Sequence, residues 1–234
     1  MLDPRPGDGL LSSPVELPAG LAAVASQVFG QRLGLAERYA AILAGAGVQR
    51  GLIGPREAPR LWERHLLNCA VVGELLEPAT RVLDVGSGAG LPGIVLAVAR
   101  PDLEITLLEP LARRATFLDE VVGELGLSTV TVVRGRAEEQ ASRLRFPVVT
   151  ARAVAPLDRL ARWCLPLVET GGRLLALKGA SAADELVEHA VEVTRLGGRD
   201  TSVVLCGSGI VERPTTVVSV VRGRTGKSGG RRPR

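Results

Sequence analysis

The residues best suited to chemistry are one carboxylate and a set of closely spaced glycines. Asp84 stands in an apolar run, and Gly86, Gly88, Gly90 and Gly93 follow it. This pattern predicts a buried strand, a tight turn and the start of a helix, because glycine backbone lets a ligand approach closely and exposed helix amides hold polar groups. The spacing from Gly88 to Gly93 also fits a dinucleotide-binding fingerprint, which alone is a weak indication. A turn that binds nothing is the alternative.

Asp84 narrows the choice of ligand. A carboxylate at this point repels a pyrophosphate and attracts a cation. S-adenosylmethionine carries sulfonium and ammonium charges, so it suits both the carboxylate and the glycine turn. Glu109 ends the next apolar segment, where a doubly wound sheet places the acid that binds ribose hydroxyls, about 20 residues on. Glu109 therefore indicates a nucleoside without choosing the cofactor, and an NAD-dependent oxidoreductase is a rival that leaves Asp84 unexplained.

The order of apolar segments predicts the elements that position these residues. Strand-like segments are 81–85, 104–108, 129–133, 147–151, 172–177, 202–206 and 215–221, and helical patterns are 92–99, 111–125, 156–168 and 182–194. Alternation up to the fifth strand predicts parallel pairing with right-handed crossovers. The short link before the last strand predicts an antiparallel final pair. We therefore expect an α/β fold with a doubly wound, seven-stranded, mostly parallel sheet of the Rossmann-like methyltransferase type.

Composition divides the chain into four parts. Residues 1–14 are predicted to be a disordered lead, because they are rich in Pro, Gly, Asp and Ser. Residues 15–78 carry three helical patterns with an irregular link over 45–59, and they predict a small helical cap. Residues 79–221 form the ligand-binding domain, and 222–234 form a basic disordered tail. The cap either supplies substrate surface or covers an exposed sheet face.

Charge and cysteine content limit the function classes. The formal net charge is +4, and six of the 29 basic residues lie in 222–234, so removing those six leaves −2. The body is therefore not a generally basic nucleic-acid binder. No apolar run approaches the ~20 residues that span a bilayer, and the first residues do not fit a secretory signal. Three separated cysteines lack metal spacing and predict neither zinc nor disulfides. We expect a cytoplasmic monomer with no metal and no membrane contact.

Five stretches carry a resemblance to a known family. They are RHLLNCAVV (64–72), LDVGSGAGLPGI (83–94), GRAEE (135–139), ARA (151–153) and LALKG (175–179). Through these stretches the chain resembles the glucose-inhibited division protein B family, methyltransferase G of small-subunit ribosomal RNA. The resemblance extends from about Leu35 to Val221. The resemblance implies methylation of N7 of one guanine in 16S ribosomal RNA, as naked RNA or in the small ribosomal subunit, with S-adenosylmethionine as cofactor.

The resemblance and the strand ends together predict the cofactor contacts. The predicted set is Asp84, Gly86, Gly88, Leu91, Glu109, Ala137, Glu138 and Arg152. Gly86, Leu91 and Arg152 belong to it because their stretches match the family. Ala137 and Glu138 follow the third strand, where this architecture reads the adenine edge. Capping of a helix by its first-turn acids is the alternative for Glu138.

Three further residues are candidates for substrate binding. Lys178 ends the fifth strand and could hold a phosphate or guanine O6, or be an ordinary strand-end lysine. Arg64 and His65 match the family's Arg-His pair. His65 also shares a helical stripe with Leu61 and Cys69, so a packed, hydrogen-bonded histidine is an equal alternative.

No residue is predicted to be a general acid or base. Methyltransferases acting on exocyclic amines carry Asn or Asp, two prolines and an aromatic residue after the fourth strand, where this chain has Ala151, Arg152 and Ala153. Cys164 follows Trp163 in a helical pattern, unlike a cytosine C5 nucleophile. Guanine N7 has a free lone pair and needs only aligned approach. A small-molecule methyltransferase of the same fold and a non-catalytic RNA-binding protein are the alternatives, and the intact Asp84 and Glu109 argue against the latter.

Overall fold

The computed structural model describes residues 16–152 and 155–223. One seven-stranded sheet has the order β3-β2-β1-β4-β5-β7-β6. The strands are β1 Arg81–Val85, β2 Glu104–Glu109, β3 Val130–Arg134, β4 Phe146–Arg152, β5 Val168–Lys178, β6 Gly198–Cys206 and β7 Thr215–Arg222. The first five strands pair in parallel, and β7 runs antiparallel to both β5 and β6. The predicted doubly wound sheet with its antiparallel final pair is confirmed.

Helices cover both faces of the sheet. They are α1 Ala22–Phe29, α2 Leu33–Ile42, α3 Asn68–Ala70, α4 Gly93–Ala99, α5 Ala112–Leu125, α6 Ala137–Gln140, α7 Leu157–Cys164 and α8 Ala182–Arg195. Helix α3 lies inside a longer helical run over 58–75, which we call the composite helix. This run consists of the 3-10 turn Ala58–Arg60, the π-helix Leu61–Leu67, α3 and the 3-10 turn Val71–Leu75.

Two apolar clusters pack against opposite faces of the sheet. Val82 belongs to the cluster formed with α1, α2, the composite helix, α4 and α5, whereas Leu83 belongs to the cluster formed with α6, α7 and α8. This division follows from the period of two along a strand. The first cluster joins residues of the predicted helical cap to residues of the sheet. The cap and the sheet therefore share one core.

Several boundaries differ from the sequence predictions. Strand β6 begins at Gly198 rather than at 202, and α7 ends at Cys164 rather than at 168. The link expected over 45–59 begins inside a helix, because α2 continues as the π-helix Leu43–Gly47, whose Ala46 and Gly47 are buried. Packing there outweighs the low helix propensity of glycine. Strand β5 begins at Val168 rather than at 172. Arg222, assigned to the tail, is the last residue of β7 and donates to the Leu165 carbonyl. The predicted lead 1–14 and tail residues 224–234 lie outside the described residues.

Within residues 16–152 and 155–223, no helix has the length and apolar character needed to cross a bilayer. Nor does that part of the chain place three or more His, Cys, Asp or Glu side chains where they could hold a metal ion. Cys69, Cys164 and Cys206 are free and buried. Burial raises the pKa of the Cys164 thiol well above its usual range, so this sulfur is not an activated nucleophile.

Candidate active site

A glycine turn joins β1 to α4 at the edge where the parallel strands end. Gly86, Gly88 and Gly90 have φ values of 71°, 58° and 98°, which side chains with a Cβ rarely adopt. Helix α4 begins at Gly93, directly after Pro92, which stands at the N-cap rather than in the first helical turn. The strand, turn and helix expected from the sequence are therefore present, and three glycines of the turn have backbone conformations that favour glycine.

Asp84 lies beneath this turn rather than on its surface. The side chain has no exposure to solvent. Its Oδ2 accepts the Gly93 amide at 3.1 Å, and its Oδ1 accepts the Thr150 hydroxyl at 3.2 Å. Burial raises the pKa of Asp84 to about 6, although the hydrogen bonds and the Arg152 charge oppose that rise. Asp84 thus fixes the start of α4 and places a titratable charge directly under the glycine backbone.

Glu109 holds the same turn from the end of β2. Its Oε2 accepts the Gly88 amide at 3.0 Å, and its Oε1 accepts the Leu111 amide at 3.0 Å. The side chain is 1% exposed. Each carboxylate oxygen keeps a second lone pair that can accept a hydroxyl. Two carboxylates from neighbouring strands therefore flank one glycine turn, as the sequence predicted.

Tyr39 is a site residue that the sequence analysis missed. Its hydroxyl donates to the Ala89 carbonyl at 2.7 Å, and the side chain is buried in α2. A Cβ added at Gly90 would lie 2.8 Å from this hydroxyl oxygen. The available signal was that Tyr39 is the only tyrosine in the chain, although its spacing marked it simply as an apolar helix position. The helical cap therefore closes over the glycine turn from above.

Arg152, at the end of β4, connects the sheet to the composite helix. Its Nη1 lies 2.9 Å from the Cys69 Sγ, and its Nη2 donates to the Arg64 carbonyl at 3.1 Å. The same Nη2 is 2.7 Å from Nδ1 of His65. The structure therefore brings the predicted cofactor residue Arg152 against the predicted substrate residues Arg64 and His65.

His65 is half-buried between Arg152 and Glu57. Its Nε2 lies 3.1 Å from the Glu57 carboxylate. Burial and then the Arg152 charge lower the pKa of His65, while the bond to Glu57 opposes them. The bond to His65 in turn lowers the pKa of Glu57. The packed, hydrogen-bonded role considered for His65 is present in the structure, and Glu57 is a partner that the sequence did not indicate.

Lys178 ends β5 with its ammonium already bonded. Nζ donates to the Glu185 carboxylate at 2.7 Å and to the Ala155 carbonyl at 2.8 Å. The side chain is 9% exposed. Glu185 also accepts the Leu157 amide at the start of α7. Lys178 therefore has one remaining donor, and its charge is paired with Glu185.

One open cleft of about 1300 Å³ collects the predicted substrate residues. Arg64, His65, Lys178 and Arg152 all line it, together with further charged residues of the composite helix, α7 and the loop before β7. Among the described residues, its lining includes Arg152 but not the glycine turn or Glu109. The cleft and the turn are neighbours along one sheet edge, and Arg152 stands between them.

The remaining predicted cofactor residues lie along the same edge. Ala137 opens the four-residue helix α6 directly after β3, and it is buried. Glu138 follows it, exposed, and no side-chain hydrogen bond caps that helix. Leu91 is partly buried against the first apolar cluster. Their contacts with a cofactor remain predictions.

The comparisons with known families and proteins agree with one another. The family model described as rRNA small subunit methyltransferase G matches residues 32–215. A protein named ribosomal RNA small subunit methyltransferase G from Salinispora tropica is 63% identical over 214 residues, covering 88% of each chain. The protein of the same name from Renibacterium salmoninarum is 56% identical over 210 residues, covering 89% of this chain and 98% of the relative.

Solved structures show a similar fold at low sequence identity. The S-adenosylmethionine-dependent methyltransferase SibL, in its apo form, has a TM-score of 0.58 at 20% identity over 88% of this chain and 71% of that chain. A predicted O-methyltransferase from Agrobacterium tumefaciens has a TM-score of 0.52 at 18% identity, covering 68% and 81%. These structures share the α/β sheet architecture described above.

Proposed function

The chain belongs to the rRNA small subunit methyltransferase G family, and on that premise we propose that it methylates N7 of a specific guanine in 16S ribosomal RNA. The proposed cofactor is S-adenosylmethionine, the proposed partner is the RNA or the small ribosomal subunit, and the proposed compartment is the cytoplasm. The single observation that carries the proposal is the glycine turn held between two buried carboxylates beside the charged cleft.

The residues around the turn fit the proposed cofactor. A Cβ added at Gly88 would contact only the Gly86 carbonyl within 4 Å, so the turn has an open side. The Glu109 carboxylate has lone pairs for ribose hydroxyls, and Ala137 and Glu138 would hold the adenine. Arg152, at the end of β4 between the turn and the cleft, would contact the cofactor from that side. Asp84 would act through its charge beneath the turn, since its oxygens already accept the Gly93 amide and the Thr150 hydroxyl. Bound there, the cofactor supplies an electrophilic methyl group on a sulfonium.

The proposed chemistry asks for positioning rather than proton transfer. Guanine N7 has no proton to lose and attacks with its own lone pair, so a general base has nothing to act on. The chain would contribute an aligned approach and exclusion of water. Lys178, held by Glu185 and the Ala155 carbonyl, is suited to placing a phosphate or O6 with its remaining donor. We accordingly assign no catalytic residue.

Two exposed cations of the cleft support an RNA partner. Among the described residues, five basic side chains and five carboxylates line the cleft, so its formal charge is balanced: Arg64, Arg152, Arg159, Lys178 and Arg213 against Glu57, Glu63, Asp158, Glu185 and Glu188. Within the described ranges the Arg159 side chain makes no hydrogen bond or ion pair, and Arg213 lies 3.8 Å from the Glu63 carboxylate and is 72% exposed. Such cations can contact phosphates, which dominate nucleic-acid affinity.

The proposed function is tested by methyl transfer from labelled S-adenosylmethionine. Purified 16S RNA and small subunits from cells lacking the gene are the acceptors, and digestion with mass spectrometry locates the label. We expect 7-methylguanine at a single site. Glu109→Gln, which loses the carboxylate that holds the turn, should weaken cofactor binding by roughly 10-fold or more. Glu169→Gln, at the opposite sheet edge, is the matched control and should bind normally.

Methylation at another atom, or of small molecules alone, contradicts the proposal. The first outcome would point to a general base, and the second to a small-molecule methyltransferase of the same fold.

A further inference from the structure

Arg152 is held in the cleft by acceptors that carry no formal charge. Its side-chain partners are a thiol sulfur, a backbone carbonyl and an imidazole nitrogen, all from the composite helix. Within residues 16–152 and 155–223 it forms no ion pair with a carboxylate. The guanidinium therefore keeps its charge for a ligand, while its orientation depends on the helix that carries His65.

The hydrogen bonds fix which nitrogen of His65 carries the proton. A guanidinium has five donors and no acceptor, so Nδ1, at 2.7 Å from Arg152, must be the unprotonated nitrogen. Nε2 then carries the proton and donates to the Glu57 carboxylate at 3.1 Å. The hydrogen bonds thus run in one direction, from Arg152 at the end of β4 through His65 of the composite helix to Glu57 in the turn before that helix.

On the basis of the proposed function, we propose that His65 is a positioning residue that holds Arg152 for the cofactor, with Glu57 selecting the tautomer. Protonation of His65 places a proton on Nδ1, which removes the acceptor and sets an imidazolium against the guanidinium. Arg152 then loses its shortest bond and is repelled. The role is indirect, in contrast to the substrate contact that the sequence suggested for His65.

The charged groups facing His65 are few. Arg152 comes from β4, Glu57 precedes the composite helix, and Arg64 is on the same helix as His65. Asp84 of β1 has a pKa of about 6 and would by itself produce an acid dependence. Substitution of His65 is therefore needed to decide whether an acid dependence of cofactor affinity comes from His65 or from Asp84.

The test measures S-adenosylmethionine affinity by calorimetry, and KM and kcat for methyl transfer, from about pH 5 to 8.5. His65→Asn retains an acceptor near the Nδ1 position and does not titrate. We expect the cofactor affinity of the wild-type protein to weaken below pH 6.5, as His65 becomes protonated. His65→Asn should bind the cofactor about as well as wild type at neutral pH and should not show this weakening. His65→Leu, without an acceptor, should weaken cofactor binding about 10-fold or more at every pH. The matched control His189→Asn should keep the wild-type profile.

Three outcomes overturn the proposal. If cofactor binding by His65→Asn still weakens at acid pH, this acid limb of the pH profile belongs to Asp84. An increase in the KM for RNA alone in His65→Leu makes His65 a direct substrate contact. A loss of the acid limb in His189→Asn assigns it to the other histidine.

Nitrogen-15 NMR of the unsubstituted protein keeps the test valid if a variant fails to fold. We expect the Nε2-protonated tautomer of His65 and a pKa below 6.5, with a further decrease in Glu57→Gln because a neighbouring negative charge is lost. A proton on Nδ1 at neutral pH contradicts the proposal. Calorimetry and NMR need no RNA, so they judge this inference even if methylation of 16S RNA is not observed.

Discussion

The two edges of the sheet use their charged side chains in opposite ways. Where the parallel strands begin, arginines donate to backbone carbonyls: Arg100 to Gly73 and Leu76 at 2.8 and 3.1 Å, and Arg173 to Leu75 at 2.6 Å. These bonds fasten the end of the composite helix to the sheet. At this edge the charges are used to complete the fold.

Where the parallel strands end, carboxylates accept backbone amides instead. Asp84 and Glu109 hold the glycine turn, so the negative charges are internal. Arg113, Arg136 and Arg159 lie at the same edge, and in the described part of the chain none of them has a hydrogen bond or an ion pair from its side chain. The comparison teaches that the first edge uses its arginines to complete the fold. The second edge also holds Arg152 and Lys178 by internal acceptors, but among the described residues it leaves these three arginines available to a partner.

The largest expected effect contrasts two glycines at opposite edges. In Gly90→Ala the new Cβ lies 2.6 Å from Ile94 Cδ1 and 2.8 Å from the Tyr39 hydroxyl, and φ is 98°. Clash and backbone strain together should lower the free energy of unfolding by about 2–5 kcal/mol. Gly171→Ala, at φ 86° with nothing within 4 Å, should lose only about 1–2 kcal/mol. Urea denaturation measures both, and equal losses would refute a tightly packed turn.

The next effect concerns the buried Asp84 carboxylate at the edge where the parallel strands end. Folded Asp84 has a pKa of about 6 against an ordinary 3.8. Its contribution to stability is therefore complete below about pH 4 and is lost as pH rises through about 6, a change of about 3 kcal/mol. Asp84→Asn should remove this change, so the variant gains relative to wild type between pH 4 and 8. Unfolding free energies at several pH values measure the difference. A constant difference would mean that the charge is not desolvated.

The smallest effects compare arginines of the two edges. Arg100→Ala leaves the Gly73 and Leu76 carbonyls without their hydrogen-bond donor. It should therefore lower the free energy of unfolding by about 1–3 kcal/mol and leave RNA affinity unchanged. Arg113→Ala should change stability by less than about 0.5 kcal/mol, and reduce the salt slope of RNA binding by up to about 0.7 for its lost contact. Denaturation and salt-dependent binding assays test both. Should Arg113→Ala leave the slope unchanged, the free cations at this edge do not contact RNA.

Much of the fold could be predicted because it follows local patterns. The apolar run that contains Asp84 and the one that ends at Glu109 mark strands, and strand–helix alternation restricts the topology. The placement of the carboxylates at one edge follows from parallel pairing. What could not be predicted is what each carboxylate touches, because local sequence does not show that Asp84 is wholly buried under Gly93.

The long-range contacts of the site were equally hidden from the sequence. Tyr39 reaches Ala89 across 50 residues, and Arg152 reaches His65 across 87. Such pairs depend on how the helical cap packs against the sheet, which spacing along one segment cannot encode. Lys178 was identified from its place at the end of the fifth strand, yet its pairing with Glu185 depends on how α8 lies against β5.

The shared core of the helical cap and the sheet has a consequence for synthesis of the chain. Phe29, Tyr39 and Leu43 are made first, but the same cluster includes Phe117 and Val121 of α5. At about 5–20 residues per second, the early helices wait roughly 4–16 s for these partners. During that interval their apolar faces are exposed to solvent. A chain stalled before α5 therefore presents an aggregation-prone amphipathic segment to chaperones and proteases.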